Sequence, residues 1–188
     1  MTSARREQLL DVAADLIERD GIDDFGTGTL ARAAGIKPPS LYKHFAGLAD
    51  IENALISREF AAFAREMTDA AAAASDDPHG RLAAFAAAYR RHALARPQLY
   101  RLMTARPLDR AAIEPGSEDA AMAPLIALFR EDAAQHDVAR AAWAWVHGLV
   151  ILEIAERFPP GADLDASWDI LVDMLATRAR DETDASST

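Results

Sequence analysis

Gly26-Thr-Gly-Thr-Leu-Ala-Arg-Ala-Ala-Gly35-Ile-Lys-Pro-Pro-Ser-Leu-Tyr-Lys-His-Phe45 reads as two short helices joined by a tight turn. Leu30, Ala31 and Ala34 give the first helix a small apolar face. Gly35 ends it, because glycine adopts the left-handed conformation after a helix C-terminus without a Cβ penalty. Pro38 and Pro39 lack an N–H and so belong in a turn or at the start of a new helix. Leu41 and Phe45, four apart, share a face of that second helix, while Ser40, Lys43 and His44 face elsewhere. Helix, glycine turn and short helix make the helix-turn-helix layout, in which the second helix enters the DNA major groove.

The charge pattern around this stretch agrees. The chain of 188 residues carries a net charge of −10, which argues against non-specific nucleic-acid binding by its whole surface. Yet from Phe25 to Ala49 there is no Asp or Glu, while Arg32, Lys37 and Lys43 are present, and Arg5 and Arg6 add charge at the flexible N-terminal end. A local basic patch on an acidic body is the footprint of a protein that touches DNA at one place. Hydrophobic residues make up 51% of the chain, many of them alanine, and no segment alternates like a strand, so an all-α fold is expected. The absence of cysteine excludes disulfides, thiolate zinc sites and cysteine nucleophiles. No apolar signal-peptide core follows the N-terminus, which predicts a cytoplasmic protein. The uncharged run Ala141 to Leu152 is too short to span a bilayer, so no membrane association is expected.

Upstream of the motif, Leu9, Val12, Ala13, Leu16 and Ile17 recur at helical spacing, predicting a first helix from about Ala4 to Arg19, stopped by Gly21. Downstream, a fourth helix starts near Leu48 with Asp50 and Glu52 in its first turn, where carboxylates complement the helix dipole. Its apolar positions Ile51, Leu55, Phe60, Phe63 and Met67 continue to the alanine run before Pro78, long enough to serve two modules. Residues 1–47 therefore read as a three-helix DNA-binding domain, 48–180 as a helical ligand-binding and dimerisation domain, and 181–188 as a disordered polar tail. In the second domain a fifth helix carries Leu82, Phe85 and Tyr89, and a sixth, opened by Pro97, carries Leu99, Leu102 and Met103. A seventh holds Met122, Leu125 and Phe129, with Pro124 fitting best in its first turn. Asp137 is a good N-cap for an eighth, running to Pro159-Pro160-Gly161. Asp163 or Asp165 opens a ninth, with Trp168, Leu171, Val172 and Leu175 on one face.

The eighth helix carries two apolar stripes where a surface helix should carry one. Ala141, Trp145, Leu149 and Leu152 form the first, and Trp143, His147, Val150 and Ile154 form the second, on a different side. A helix apolar on two sides is sandwiched between its own core and something else, most simply the same helix of a second subunit. Gly148, mid-helix, has a conformational cost that close helix approach would explain. Trp145, Leu149, Leu152, Trp168, Leu171 and Leu175 are the expected dimer contacts, in a four-helix interface built from the eighth and ninth helices of each subunit.

With these residues assembled, the chain resembles the TetR family of bacterial transcriptional repressors. The resemblance covers Arg6 to about Phe60 and rests on Gly21, Leu30-Ala31, Ala34-Gly35 and above all Leu41-Tyr42-Lys43-His44-Phe45. Trp145-Val146-His147-Gly148 resembles the branch of that family with a Trp-His-Gly signature in its C-terminal domain. The resemblance implies an all-α homodimer on double-stranded DNA at a palindromic operator. It also implies a small-molecule effector, bound in the larger domain, that alters the separation of the two recognition helices. Two positions depart from the family. Gly26 stands where a capping Ser or Thr is usual, and Leu48 where a phosphate-binding Lys is usual, which predicts a thinner phosphate grip.

Thr27, Lys37, Pro39, Ser40, Tyr42, Lys43 and His44 are the expected DNA-contacting set. Lys37 and Lys43 suit phosphates, while Ser40 and Tyr42 suit phosphate or base edges, unless Tyr42 packs its ring and shows only its hydroxyl. Tyr89, Met103, Phe129, Trp143 and His147 are the expected ligand contacts. Each has a second reading: aromatics and methionine at helical spacing are often plain core, and His147 is equally a core histidine with a hydrogen-bond partner. Gly26-Thr27-Gly28 superficially matches a dinucleotide-binding loop, but that motif needs a preceding strand and here a helix precedes it. His79, His92 and His136 have no metal-ligand spacing, and no catalytic set is present, so neither enzyme activity nor a cofactor is expected. The rival reading is an all-α small-molecule-binding protein or enzyme with a structural N-terminal domain. It has only His147, Glu153 and Glu156 to draw on, and these lie on different faces of one helix.

Overall fold

Apolar spacing in this chain is helical throughout, and the computed structural model, which describes residues 2–75, 77–129 and 131–180, bears this out. The described residues form nine helices and no strand. The tail expected at 181–188 lies outside the described residues. The helices are α1 (Thr2–Asp20), α2 (Thr27–Ala33), α3 (Pro38–Leu41), α4 (Leu48–Ala73), α5 (Pro78–Ala95), α6 (Pro97–Thr104), α7 (Ser117–Ile126), α8 (Gln135–Ile154) and α9 (Leu164–Arg180).

Packing gathers the helices into two units. The first holds residues up to Ala62 together with Arg96–Glu118, and the second holds Phe63–Ala95 together with residues from Asp119 on. This division by packing is a different cut from a motif boundary at residue 47. The opening part of α4, the whole of α6 and the loop after it join the helix-turn-helix core.

In the first unit, α1 buries Leu9, Leu10, Ala13, Ala14, Leu16 and Ile17 along one face. They meet Leu30 from α2, Leu41 and Phe45 from the α3 region, and Ile51, Leu55 and Ile56 from α4. Leu99 and Leu102 of α6 and Ile113 of the following loop complete the same cluster. That loop is held by polar contacts as well: Glu114 N donates to Ser57 Oγ at 2.9 Å, and Arg106 reaches Glu52 at 3.1 Å. Burial of this many aliphatic side chains, each stabilising by about 1.5–3 kcal/mol relative to exposure, makes α1 to α3 a rigid seat rather than a hinged pair.

In the second unit, Phe63 of α4 meets Tyr89 of α5 edge-on, with ring centroids 5.2 Å apart. Arg90 of α5 forks onto Glu153 of α8 at 2.7 Å and also pairs with Asp165 of α9. Trp168 Nε1 donates to the same Glu153 at 3.1 Å, and the Arg90 guanidinium lies over the Trp168 ring at 5.7 Å. Glu153 is thereby committed to tying three helices together, which removes it from the small set available to the rival enzymatic reading.

Three helix boundaries differ from expectation. Pro124 sits inside α7, near its end, rather than in its first turn. Lacking an N–H, it cannot bond the Ala120 carbonyl, and the helix stops two residues later at Ile126. The N-cap of α8 is Ala134, not Asp137; Asp137 lies in the first turn, paired with Arg140. The last turn of α8 closes at Ile154, before the prolines. Glu156 takes a left-handed φ of +52°, and Arg157 N donates back to Leu152 O at 2.9 Å. This is the six-to-one bond of a Schellman turn, made without the usual glycine. Asp163 caps α9 as expected, accepting from Ala166 N at 2.9 Å.

Candidate nucleic-acid interface

The expected two-helix motif forms with the glycine doing what the sequence implies. Gly35 has φ +64°. Its N–H donates to Arg32 O at 3.2 Å, and Ile36 N donates to Ala31 O at 3.0 Å, a complete Schellman stop for α2. Pro38 and Pro39 then open α3, and Ser40 N bonds the Lys37 carbonyl at 2.8 Å. Leu41 and Phe45 point into the core, which turns the opposite face outward.

On that outward face Lys37, Pro39, Tyr42 and Lys43 are exposed, and Thr27, Ser40 and His44 are half-buried. Tyr42 is 56% exposed, so its ring does not pack against the protein. The seven expected residues thus fall on α2, at the N-cap of α3 (Lys37), on α3 and in the turn after it, within a segment that holds no carboxylate. A rigid apolar seat beneath and exposed cations with a phenol above are what phosphate and base-edge contacts require.

The surroundings correct part of the sequence reading. Arg6 is not an extra charge at a loose end: it lies in α1, 3.6 Å from Asp50 and 4.8 Å from the centroid of the Phe45 ring. Asp50 in turn accepts from Ala46 N at 2.9 Å, so Arg6 and Asp50 together brace the exit from the recognition turn. Leu48 is half-buried and packs against the apolar cluster, which gives it a packing role in place of a charge. At Gly26, the expected weakness of the cap is partly repaired. Thr29 Oγ1 accepts from Gly26 N at 3.0 Å and donates to Gly26 O at 2.8 Å. That contact was legible as a threonine three residues on, in the capping-box position.

Residues 9–55 match the family described as bacterial regulatory proteins, tetR family, and residues 82–175 match the tetracyclin repressor-like C-terminal domain. The chain belongs to the TetR family. It is a TetR-type, DNA-binding transcriptional regulator. Over 176 residues it is 29% identical to an uncharacterised HTH-type transcriptional regulator of Mycobacterium tuberculosis, covering 91% of this chain and 79% of that one. A protein of unknown function from Rhodococcus shares the fold with a TM-score of 0.79 at 26% identity, covering 93% of this chain and 94% of its own. A TetR variant of Acinetobacter baumannii, solved with minocycline, has a TM-score of 0.65 at 22% identity, covering 92% of this chain and 94% of its own. Among the described residues no helix of this TetR-family protein is long and apolar enough to cross a membrane, and no group of three or more His, Cys, Asp or Glu side chains is placed to hold a metal ion.

The residues expected at the ligand site do not form one cluster within a unit. Tyr89, Phe129, Trp143 and His147 belong to the second unit, whereas Met103 on α6 belongs to the first. Tyr89 and Phe129 are buried, Trp143 is exposed and His147 is half-buried. The Trp143 and His147 rings stack at 5.6 Å, and burial pushes the His147 imidazole below its ordinary value. Two of the surface clefts among the described residues lie one in each unit. One, of about 270 Å³, is lined by Arg6, Asp50, Ser57 and Arg58 among others; the second, of about 190 Å³, runs along Arg90, Trp168 and Val172. Neither includes any of the five expected ligand residues.

The dimer contacts expected on α9 need correcting. Trp168, Leu171 and Leu175 are buried inside the protomer, against its own core. The large apolar residues that α9 leaves exposed, among those described, are Ile170 and Met174, on the opposite side of the helix. On α8 the core face is Ala139, Ala142, Val146 and Val150, of which only Val150 belongs to a stripe read from sequence; the other stripe residues lie to either side. Those others are less covered: Trp145, Leu152 and Trp143 are exposed, and Leu149 and His147 are half-buried. A Cβ on Gly148 would meet nothing in the protomer.

Proposed function

We propose that this protein is a repressor that acts as a homodimer on a palindromic operator and is released from it by a small, largely apolar ligand. The observation that carries the DNA half of this reading is the outward face of Lys37, Ser40, Tyr42 and Lys43, seated by buried Leu41 and Phe45. The dimer half is supported by five large exposed apolar side chains on two helices: Trp143, Trp145, Leu152, Ile170 and Met174. A set this size is unusual on a monomer surface. Two-fold symmetry then requires the recognition turns to sit about 34–36 Å apart, one turn of DNA, to reach successive major-groove faces.

A ligand that prefers a wider arrangement shifts the population away from DNA by its differential affinity for the two states. In this reading α4, unbroken for 26 residues, is the lever. Tyr89, Phe129, Trp143 and His147 remain the proposed ligand contacts in the second unit. The Acinetobacter protein of the same fold was solved with minocycline, which supports a small-molecule effector. Trp145, His147 and Gly148 favour the branch with the Trp-His-Gly signature.

The test is selection of duplexes from a random pool by the purified protein, followed by binding titrations. A palindrome should emerge, and Tyr42→Ala and Lys43→Ala should each weaken its binding while leaving the helical circular-dichroism signal intact. Full-strength binding by the double variant, or selection of no palindrome, would overturn the reading.

A further inference from the structure

The cleft of about 270 Å³ in the first unit lies between α1, the opening turns of α4 and the loop after α6. All of its walls belong to that unit. Leu10 and Ile113, both buried, and Ala54 supply its apolar part.

Its polar groups differ in how far the protein already uses them. Arg58 is committed: it donates to Asp11 Oδ1 at 2.6 Å and to the Leu10 carbonyl at 3.3 Å. Ser57 is committed too, donating to Asn53 O at 2.8 Å and accepting from Glu114 N at 2.9 Å. Arg6 is not. Its ion-pair partner Asp50 is 3.6 Å away, beyond hydrogen-bond length, and its guanidinium makes no hydrogen bond to any described residue. A fork of N–H donors is thus held above the Phe45 ring, at 4.8 Å, without an acceptor. The carboxylates of Glu7 and Glu114 likewise have no donor among the described residues.

The free cation and the free anion of the loop stand at opposite ends. Arg6 pairs with Asp50 at the start of α4, while Glu114 is tied through its N–H to Ser57 further along the same helix. Asp50 and Ser57 lie about 10 Å apart along the axis of α4. The apolar residues lie on the walls around these ends. A dianion in this cleft meets Glu7, Asp50 and Glu114, and a polyamine meets Arg6 and Arg58. A zwitterion with separated charges meets a partner for each. The volume, just short of the roughly 300–1,000 Å³ of drug-sized sites, suits a small molecule of that kind.

We propose that this cleft is a binding site for an ω-amino acid: the carboxylate on the Arg6 guanidinium, the ammonium on Glu114 and the methylene chain against Leu10 and Ile113. The site is separate from the ligand contacts proposed in the second unit, and it adjoins the turn that follows α3, through the contact of Arg6 with Phe45.

Calorimetric titration of the full chain with glycine, γ-aminobutyrate and ε-aminocaproate tests it. Affinity should rise from glycine to the longer chains, because only these reach both ends. Hexanoate and hexylamine each lack one charge and should bind about tenfold or more weakly than ε-aminocaproate. Arg6→Gln and Glu114→Gln should each cost ε-aminocaproate about the same factor. Glu114 is exposed, so its variant serves if Arg6→Gln does not fold. His147→Gln, in the second unit, should leave the titration unchanged. Absence of binding by all three amino acids would overturn the proposal. So would equal affinity for hexanoate, for hexylamine or for glycine, wild-type affinity in Glu114→Gln, or loss of binding in His147→Gln.

Discussion

The Thr29 hydroxyl closes on both backbone groups of Gly26, accepting from its N–H at 3.0 Å and donating to its carbonyl at 2.8 Å. One side chain thus holds the start of the helix that supports the recognition turn, in place of a capping residue at position 26. Thr29→Ala should lower stability by about 0.5–2 kcal/mol, the usual range for loss of a helix-terminal side-chain bond. Gly26→Ser should move the other way by a few tenths of a kcal/mol. Gly26 has an extended φ of −162°, and a Cβ there would meet nothing. Urea unfolding midpoints of the two variants, with slopes unchanged, check both signs.

Two left-handed turns, one with glycine and one without, should respond oppositely to substitution. Gly35 at φ +64° and Glu156 at φ +52° both follow a helix C-terminus. A side chain in this region costs roughly 1–2 kcal/mol. Gly35→Ala should therefore destabilise by about that amount, and should weaken DNA binding too, since the turn lies between α2 and α3. Glu156→Gly should stabilise by somewhat less than the same amount, because glycine restores part of the difference as unfolded-state entropy. Thermal unfolding of the pair decides it.

The parts of the fold that were legible in sequence are those set by local chemistry. Gly35, the paired prolines and the spacing of Leu41 and Phe45 fix the motif without reference to anything distant. Long-range choices were hidden. Nothing local says that Leu99, Leu102 and Ile113 complete the helix-turn-helix core, or that Glu18 caps a helix 80 residues on. The face of α8 was misjudged for a different reason: its core side is mostly alanine and valine, so the tryptophans drew attention to the flanks. On α9 an apolar stripe announces burial but not what buries it, and Trp168, Leu171 and Leu175 are covered by the protomer itself. Arg6 read as a loose charge because its partners, Asp50 and the Phe45 ring, are distant in sequence.

That distinction between flank and core separates two tryptophans experimentally. Trp145 is 49% exposed, and Trp168 is 5% exposed and hydrogen-bonded to Glu153. Trp145→Asp places a charge in the proposed dimer face, so it should yield a folded monomer by analytical ultracentrifugation and abolish operator binding. Trp168→Ala empties a core position and leaves Glu153 with one donor fewer. It should cost about 3–5 kcal/mol of protomer stability, the range for large aromatic truncations. A dimeric Trp145→Asp protein would move the interface away from this flank of α8.

Electrostatics at the two basic side chains give a prediction with a number attached. Lys37 and Lys43 are exposed and lie in a carboxylate-free segment. If each meets a phosphate, Lys37→Ala and Lys43→Ala should each reduce the slope of log affinity against log salt by about one per half-site. Both should weaken binding to every sequence alike. Tyr42→Phe should leave the slope unchanged, since a phenol releases no counterion, and should change the sequence preference if its hydroxyl reaches a base edge. Titrations at several salt concentrations, on the selected palindrome and on a scrambled duplex, separate the three side chains.

Acid should find out His147. Its ring stacks on Trp143 within the second unit, and burial lowers its affinity for a proton below the ordinary histidine value of 6.5. The folded protein therefore holds this ring neutral over a range in which the unfolded chain protonates it. Its contribution to stability is complete above about pH 6.5 and is lost as pH falls from there towards the lowered folded value. His147→Gln has no proton to gain, so its thermal midpoint should fall less than that of wild type between about pH 7.5 and about pH 5.5. Covering the ring further with a bound apolar ligand would deepen the desolvation and steepen the wild-type loss of ligand affinity on acidification. Parallel slopes for wild type and His147→Gln over that range would mean that the histidine titrates alike in the folded and unfolded chains.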